Sequence, residues 1–283
     1  MTELFNYILS TWRGGKISIE DYRAFLLAIA KYKDLNDTYI NIARLKKPSF
    51  FVIHHDVHRD IDRMMPYAVL EHKLGWKANY FLRKDPTVLK FPPARKMIML
   101  KHDVGLIYDM LDTCSTDFGL TGRELELRAW MRFQNTLTSM KEYNVTAIAC
   151  YNRPGGLDNR LLWKNYRYQT MNIRCDADTD FCEDDIVYFK VDDGKVQYLK
   201  RDLYGECHPV KRWFRIRGVR DLGRRLERGN HVKRMVIRFT WFPRSSRLPR
   251  SLTPRILNHR FTEWSSPYRS RFRYCTLPSS TLK

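Results

Sequence analysis

The chain has 283 residues, of which 43% are apolar and 13% aromatic, enough to bury the core of one barrel-sized domain or of two smaller ones. The formal net charge of +20 is concentrated at one end, because residues 211–283 hold 20 Lys and Arg against three acidic residues and so carry +17. The composition excludes a wholly disordered chain, and the longest apolar run, AFLLAIA at 24–30, is too short for a membrane-spanning helix.

Three helices are predicted from their capping signals. Ser18 is followed three residues later by an acidic residue, which resembles an N-cap, and apolar residues then recur at helical spacing. A second helix is predicted over 60–74, where apolar positions recur until Gly75, a plausible C-cap. Pro66 would kink this helix or delay its start. Thr121 opens a third helix with capping-box spacing.

Apolar runs that alternate with these helices are predicted to be strands. Strands separated by helices indicate a parallel sheet with crossover helices, either open or closed into a barrel. In both cases functional side chains are expected at the carboxyl ends of the strands. The predicted strands are 49–57, 78–82, 97–101, 145–150, 186–191 and 235–239.

The cellular environment is predicted from the N-terminus and the cysteines. The stretch MTELFNYILSTW lacks the basic segment that opens a signal peptide. Six scattered cysteines without a CxxC pair indicate reduced thiols rather than a disulfide framework or a thiolate zinc site. A cytoplasmic protein without a transmembrane segment is therefore expected.

The first predicted strand ends in a dense polar cluster, within FFVIHHDVHRD at 50–60. Because side chains alternate along a strand, His54, Asp56 and His58 are predicted to project to one side and His55 to the other. Asp56 and His58 would then face a common ligand. A solvated loop after a buried strand is the alternative interpretation.

The run VIHHDVHRDIDRMMPYAVLEHKLGWKANYFLR at 52–83 resembles the first motif block of the polysaccharide deacetylase superfamily. Compact members carry a strand ending in His-Asp-Val-Asp-Arg, then Leu-Glu in a helix, then Leu-Gly and an Ala-Thr-Tyr-Phe strand ending in Arg. The segments ISIEDYRAFLLAI and LDNRLLW resemble two further family segments. The resemblance implies an α/β fold, a distorted (β/α) barrel of the glycoside hydrolase and deacetylase type, over 1–245. The basic remainder at 246–283, rich in Arg, Ser and Pro, is predicted to be a weakly ordered tail.

The same resemblance implies a hydrolase that holds one divalent metal, usually zinc, and removes an acyl group from an N-acetylated sugar or glycoconjugate. Carried over by position, Asp56 is the expected catalytic base and His102 an expected metal ligand. His58 stands where the family has a second Asp and is the other expected metal ligand. Imidazole and carboxylate both bind zinc, so this exchange changes the predicted site without excluding a metal.

Departures from the family pattern favour an alternative function. Tyr151 and Thr240 stand at positions where the family has histidines. A catalytically impaired relative that binds a glycan or a polyanion is therefore the second interpretation. The acidic segment DADTDFCEDD at 176–185 has the oxygen ligands of a hard cation, but a solvated loop is its ordinary explanation.

The basic tail favours a third interpretation. Its arginines offer charge and a planar group of hydrogen-bond donors, and its aromatic residues can stack on bases. The tail at 246–283 is therefore predicted to contact nucleic acid or an anionic surface. No helix-turn-helix, zinc-finger or RNA-recognition signature accompanies it, and a solvated basic face is the alternative.

Overall fold

A computed structural model describes residues 17–58, 61–83, 91–153, 155–181, 185–192, 195–201, 207–209, 218–228 and 232–241. The predicted tail at 246–283 lies outside the described residues, as do its predicted contacts. The strands are β1 (Phe50–Val57), β2 (Ala78–Arg83), β3 (Asp103–Tyr108), β4 (Ala147–Cys150), β5 (Cys175–Asp176), β6 (Val187–Asp192), β7 (Lys195–Arg201), β8 (Cys207–Pro209) and β9 (Arg234–Trp241). The α-helices are α1 (Ile19–Ala28), α2 (Tyr39–Leu45), α3 (Met65–Leu74), α4 (Phe91–Met99), α5 (Met110–Phe118), α6 (Gly122–Ser139) and α7 (Val219–Arg228).

All of these strands belong to one sheet, in the order β5-β4-β3-β2-β1-β9-β6-β7-β8. The seven strands from β5 to β6 run parallel, and β7 and β8 are added antiparallel. The parallel strands curl into a half-barrel, so the predicted α/β class and parallel sheet are confirmed. Among the described strands the order runs from one edge to the other without closing into a ring.

Local sequence explains how the first helices begin and end. Ser18 accepts a hydrogen bond from the backbone N–H of Asp21 at 3.0 Å, which confirms the predicted start of α1. Pro66 lies in the first turn of α3, where its missing N–H leaves no hydrogen bond unmade. The helix therefore starts late, after a 3-10 turn at 61–64. Gly75 ends α3 in the left-handed conformation, with φ of 75°.

The prediction of a strand at 97–101 is wrong. These residues form the end of α4 and the turn after it, and β3 begins at Asp103. Ala94 and Met97 are both buried and lie three residues apart, as on one face of a helix. The short apolar run MIML does not by itself distinguish a helix from a strand. His102 consequently precedes a strand instead of following one, so it lies at the amino end of the sheet.

Buried apolar side chains cover both faces of the sheet. On the outer face, Ile53 and Phe239 belong to one buried cluster with residues of α1 and α3. On the inner face, Val52 and Phe81 cluster with Tyr39 of α2. Within the described ranges, no helix has the length and apolar character needed to cross a membrane.

Candidate functional site

Strand β1 ends in the polar cluster, and its side chains alternate between the two faces of the sheet as predicted. On the inner face, Nε2 of His54 lies 2.8 Å from Oδ1 of Asp56. On the outer face, Nε2 of His55 lies 2.7 Å from Oε1 of Glu71. The two adjacent histidines thus belong to separate polar groups, which we call the inner cluster and the outer cluster.

Arg238 of β9 joins the inner cluster into a network of ion pairs. The register between β1 and β9 places Arg238 beside His54. Its Nε and Nη2 donate to the two oxygens of Asp56 at 2.5 and 3.0 Å, and its Nη1 donates to Oδ1 of Asp178 at 2.7 Å. Nη2 also donates to the carbonyl oxygen of Cys150 at 3.1 Å. One planar guanidinium therefore holds two carboxylates in fixed positions.

Asp56 is ionised within this network. Burial alone would raise the pKa of Asp56, but the charge of Arg238 and the contact with His54 hold that pKa well below its usual range. Burial lowers the pKa of His54, and the neighbouring Arg238 lowers it further against the charge of Asp56. Both oxygens of Asp56 are engaged by neighbouring side chains. The residue is therefore held as a counter-ion.

The acidic segment DADTD contributes two more carboxylates to the interior. Oδ2 of Asp176 accepts hydrogen bonds from the hydroxyl of Tyr108 at 2.6 Å and from Nε1 of Trp163 at 2.9 Å. Burial and the neighbouring Asp178 raise the pKa of Asp176 to about 6. Both Asp176 and Asp178 are buried, so the solvated-loop interpretation is wrong for these two residues. Arg238 supplies the counter-charge that makes burial of Asp178 possible.

Further side chains lie at the carboxyl ends of β1, β2 and β4, which we call the mouth of the half-barrel. The ring of His58 lies edge-on to the ring of Tyr151, with centroids 5.0 Å apart. The guanidinium of Arg83 lies 5.4 Å from the centroid of the Tyr151 ring and forms an ion pair with Asp109. Tyr151 is therefore flanked by an imidazole and a cation.

The polar groups of the mouth differ in their charge states. Burial lowers the pKa of His58, and the charges of Arg83 and Lys190 lower it further against the opposing charge of Asp56. The imidazole of His58 is consequently neutral at neutral pH. Thr240 pairs with Asp56 in the register of β9 and β1 and is 7% exposed. Its hydroxyl oxygen is buried and has no hydrogen-bond partner in the described part of the chain.

The structure does not bring His102 to Asp56. Nδ1 of His102 accepts the backbone N–H of Ala78 at 3.1 Å, and Nε2 donates to the carbonyl oxygen of Ala68 at 2.9 Å. Nδ1 also lies 3.9 Å from Oε2 of Glu71. His102 therefore belongs to the outer cluster, with both ring nitrogens engaged by the backbone.

The residues predicted for catalysis and metal binding are thus divided between the two faces of the sheet. Asp56 and His58 share the inner face, while His102 lies on the outer one. Among the described residues, no three His, Cys, Asp or Glu side chains form a group able to hold a metal ion. As placed, His102 does not fit the predicted metal centre, and zinc binding stays a prediction.

The outer cluster is centred on Glu71, which is wholly buried. Its carboxylate accepts hydrogen bonds from the hydroxyls of Tyr22 and Tyr80 and lies against His55. Burial alone would raise the pKa of Glu71, but the charge and hydrogen bond of His55 hold it below the usual range. The cluster connects α1 and α3 to β1 and β2, which is a structural role.

Arg238 is the site residue that the sequence interpretation missed, and Asp178 enters that interpretation only as part of the acidic segment at 176–185. Arg238 is a lone charge among apolar residues in MVIRFTWF, at an inward-facing position of a predicted strand. That pattern marks a buried charge and requires acidic partners. Of the two residues that replace expected histidines, Tyr151 lies at the mouth and Thr240 lies in β9 beside Asp56.

No family model, curated protein or solved structure matches the chain.

Proposed function

We propose that this chain is a deacetylase-like protein that binds a sugar or glycoconjugate at the mouth of its half-barrel without hydrolysing it. The supporting observation is that Arg238 and His54 engage both oxygens of Asp56. A general base needs a free lone pair and a pKa near the working pH. Asp56 has its lone pairs directed at other side chains and a pKa far below neutrality.

The mouth offers the groups that orient a polar ligand. Tyr151 presents an aromatic ring, and Arg83 presents a planar group of hydrogen-bond donors. Lys190 adds a positive charge near His58. An N-acylated or acidic sugar suits this set, because its ring can stack on an aromatic side chain and its carbonyl or carboxylate can accept from the cations.

The test is a calorimetric titration of the full chain with chitotetraose and with an acidic oligosaccharide. We expect binding of at least one of them, and Tyr151→Ala should weaken that binding about tenfold, which is about 1.4 kcal/mol. Tyr166→Ala is the matched control, because the ring of Tyr166 stacks on Trp130 of α6 and not on the residues proposed to contact the sugar. Absence of binding by the unaltered chain, or equal losses in the two variants, would refute the proposal.

Hydrolysis of an N-acetyl group is the competing function. It is favoured by the position of Asp56 and His58 on one face at the carboxyl end of β1, where barrel enzymes place catalytic groups. It would require Asp56 to separate from Arg238. A bound divalent metal would polarise the substrate carbonyl. His58 is the predicted ligand that lies on the same face as Asp56.

The same titration distinguishes the two functions. Intact sugar recovered by mass spectrometry, together with binding that is unaffected by a chelator, supports the binding protein. Release of acetate by protein that contains stoichiometric zinc, abolished by Asp56→Asn, would establish hydrolysis and overturn the proposal.

A further inference from the structure

Helix α7 has two contrasting faces. Val219, Leu222 and Leu226 are buried. Gly223 approaches α1 so closely that an added Cβ would lie 3.1 Å from the Cβ of Ala28. The apolar face is therefore fixed against α1, and the opposite face of α7 points to solvent.

The solvent face carries a row of arginines. Arg220, Arg224 and Arg228 are spaced four residues apart, so that they lie one above the other at intervals of about 6 Å. The side chains of Arg220 and Arg224 are 59% and 65% exposed, and Arg228 is also exposed. We call these three residues the arginine row.

Acidic neighbours offset only part of this charge. Asp21 forms an ion pair with Arg220, and Asp221 lies 3.1 Å from Arg225 and 3.9 Å from Arg224. In the sequence from 211 to 228, eight basic residues stand against two acidic ones, which gives +6. This part of the chain therefore attracts anions through several charges in one short stretch.

We propose that the arginine row binds the phosphate backbone of a nucleic acid, independently of any ligand at the mouth. Each guanidinium can donate two parallel hydrogen bonds to a phosphate. A membrane surface is the less suitable partner, because an interfacial helix needs apolar side chains beside its basic ones. The described apolar residues of α7 are buried against α1. Since α7 exposes no aromatic residue for base stacking, binding is independent of base sequence.

The experiment measures fluorescence anisotropy of a labelled mixed-sequence oligonucleotide with the full chain over a range of salt concentrations. The triple variant Arg220→Gln, Arg224→Gln and Arg228→Gln should bind about tenfold more weakly at low salt. The slope of log affinity against log salt should decrease by about 2 to 3. Thermal melting of each variant verifies that it is folded.

A matched control variant replaces three exposed basic residues elsewhere, namely Arg123, Arg128 and Lys141, with Gln. We expect it to bind as the unaltered chain does. Equal affinity of the row variant and the unaltered chain, or an equal loss in the control, would overturn the proposal. So would binding to phosphatidylserine vesicles that depends on the row without any binding to the oligonucleotide.

Discussion

The interior of the half-barrel contains a group of charged side chains, each of which is neutralised by another member of the group. Arg238 pairs with Asp56 and Asp178, and all three are largely removed from solvent. Such pairs add little net stability, because desolvation of the charges offsets their attraction. Removal of one partner is different, since it leaves the others buried without a counter-charge.

Arg238→Met should therefore destabilise the protein strongly. We expect the free energy of unfolding in urea to fall by about 3 to 5 kcal/mol, since two buried carboxylates lose their partner. Arg225→Met is the control, because Arg225 forms a half-exposed i, i+4 pair with Asp221. That change should cost about 0.5 kcal/mol or less. Similar losses in the two variants would contradict the assigned role of Arg238.

The raised pKa of Asp176 predicts a pH dependence of stability. Its pKa of about 6 in the folded protein lies above the value of about 4 for an unfolded Asp. The folded state therefore holds this proton more tightly, and the stabilising contribution is complete below about pH 4 and is lost as the pH rises through about 6. The loss is on the order of 1 to 3 kcal/mol.

Asp176→Asn removes the titrating group, so the measurement is the difference between the unfolding free energies of the unaltered chain and the variant at each pH. Other titrating groups, such as Asp56, largely cancel in this difference. We expect the difference to decline between about pH 4 and 6 and to be constant above about pH 7. A difference that does not vary with pH would show that Asp176 titrates normally.

At the scale of the elements, the close approach of β2, β3 and β4 depends on a glycine. A Cβ added at Gly105 would lie 2.5 Å from Cδ1 of Phe81 and 2.8 Å from the carbonyl oxygen of Ala147. Both distances are shorter than van der Waals contact. The ring of Phe81 occupies the space that a side chain at this position of β3 would need.

Gly105→Ala should consequently destabilise the protein by about 2 kcal/mol, as overpacking of a core does. The direction of the change in unfolding free energy is informative, because Gly105 lacks a positive φ. An Ala without steric obstruction at this position would stabilise the protein by about 0.4 to 1 kcal/mol, since it reduces the conformational entropy of the unfolded chain. Urea unfolding measures the change. The double variant with Phe81→Leu should lose less than the sum of the single variants, and strict additivity would argue against the steric cause.

The same glycine shows why the elements were only partly predictable. Strands that open with an apolar run, such as FFVI in β1, agree with the prediction within a residue or two. The segment DVGLIY of β3 begins with an acid and contains a glycine, which weakens its strand pattern. The neighbouring MIML has the stronger apolar pattern, so the sequence predicts the strand there and misplaces His102. The need for glycine at position 105 arises from Phe81, a tertiary contact that local periodicity does not contain.

Across the fold, the sequence predicts only the part of the candidate site that lies on the single strand β1. The alternation of β1 placed Asp56 on one face and His55 on the other, as the structure has them. The partner of Asp56 is 182 residues away in sequence, on a strand that pairs with β1 across the sheet. Nothing in the local pattern of β1 specifies Arg238, because the contact between Arg238 and Asp56 depends on the order of the strands in the sheet.

That sheet order has a consequence for translation. Strand β9 is the last described strand to be synthesised, yet it lies between β1 and β6 and connects the two parts of the sheet. A nascent chain that lacks β9 has neither the strand that joins these parts nor the guanidinium that neutralises Asp56 and Asp178. The ribosome must therefore deliver nearly the entire described polypeptide before the earliest strand, β1, acquires both neighbours. Until then one edge of β1 has unpaired backbone groups that another chain could pair with.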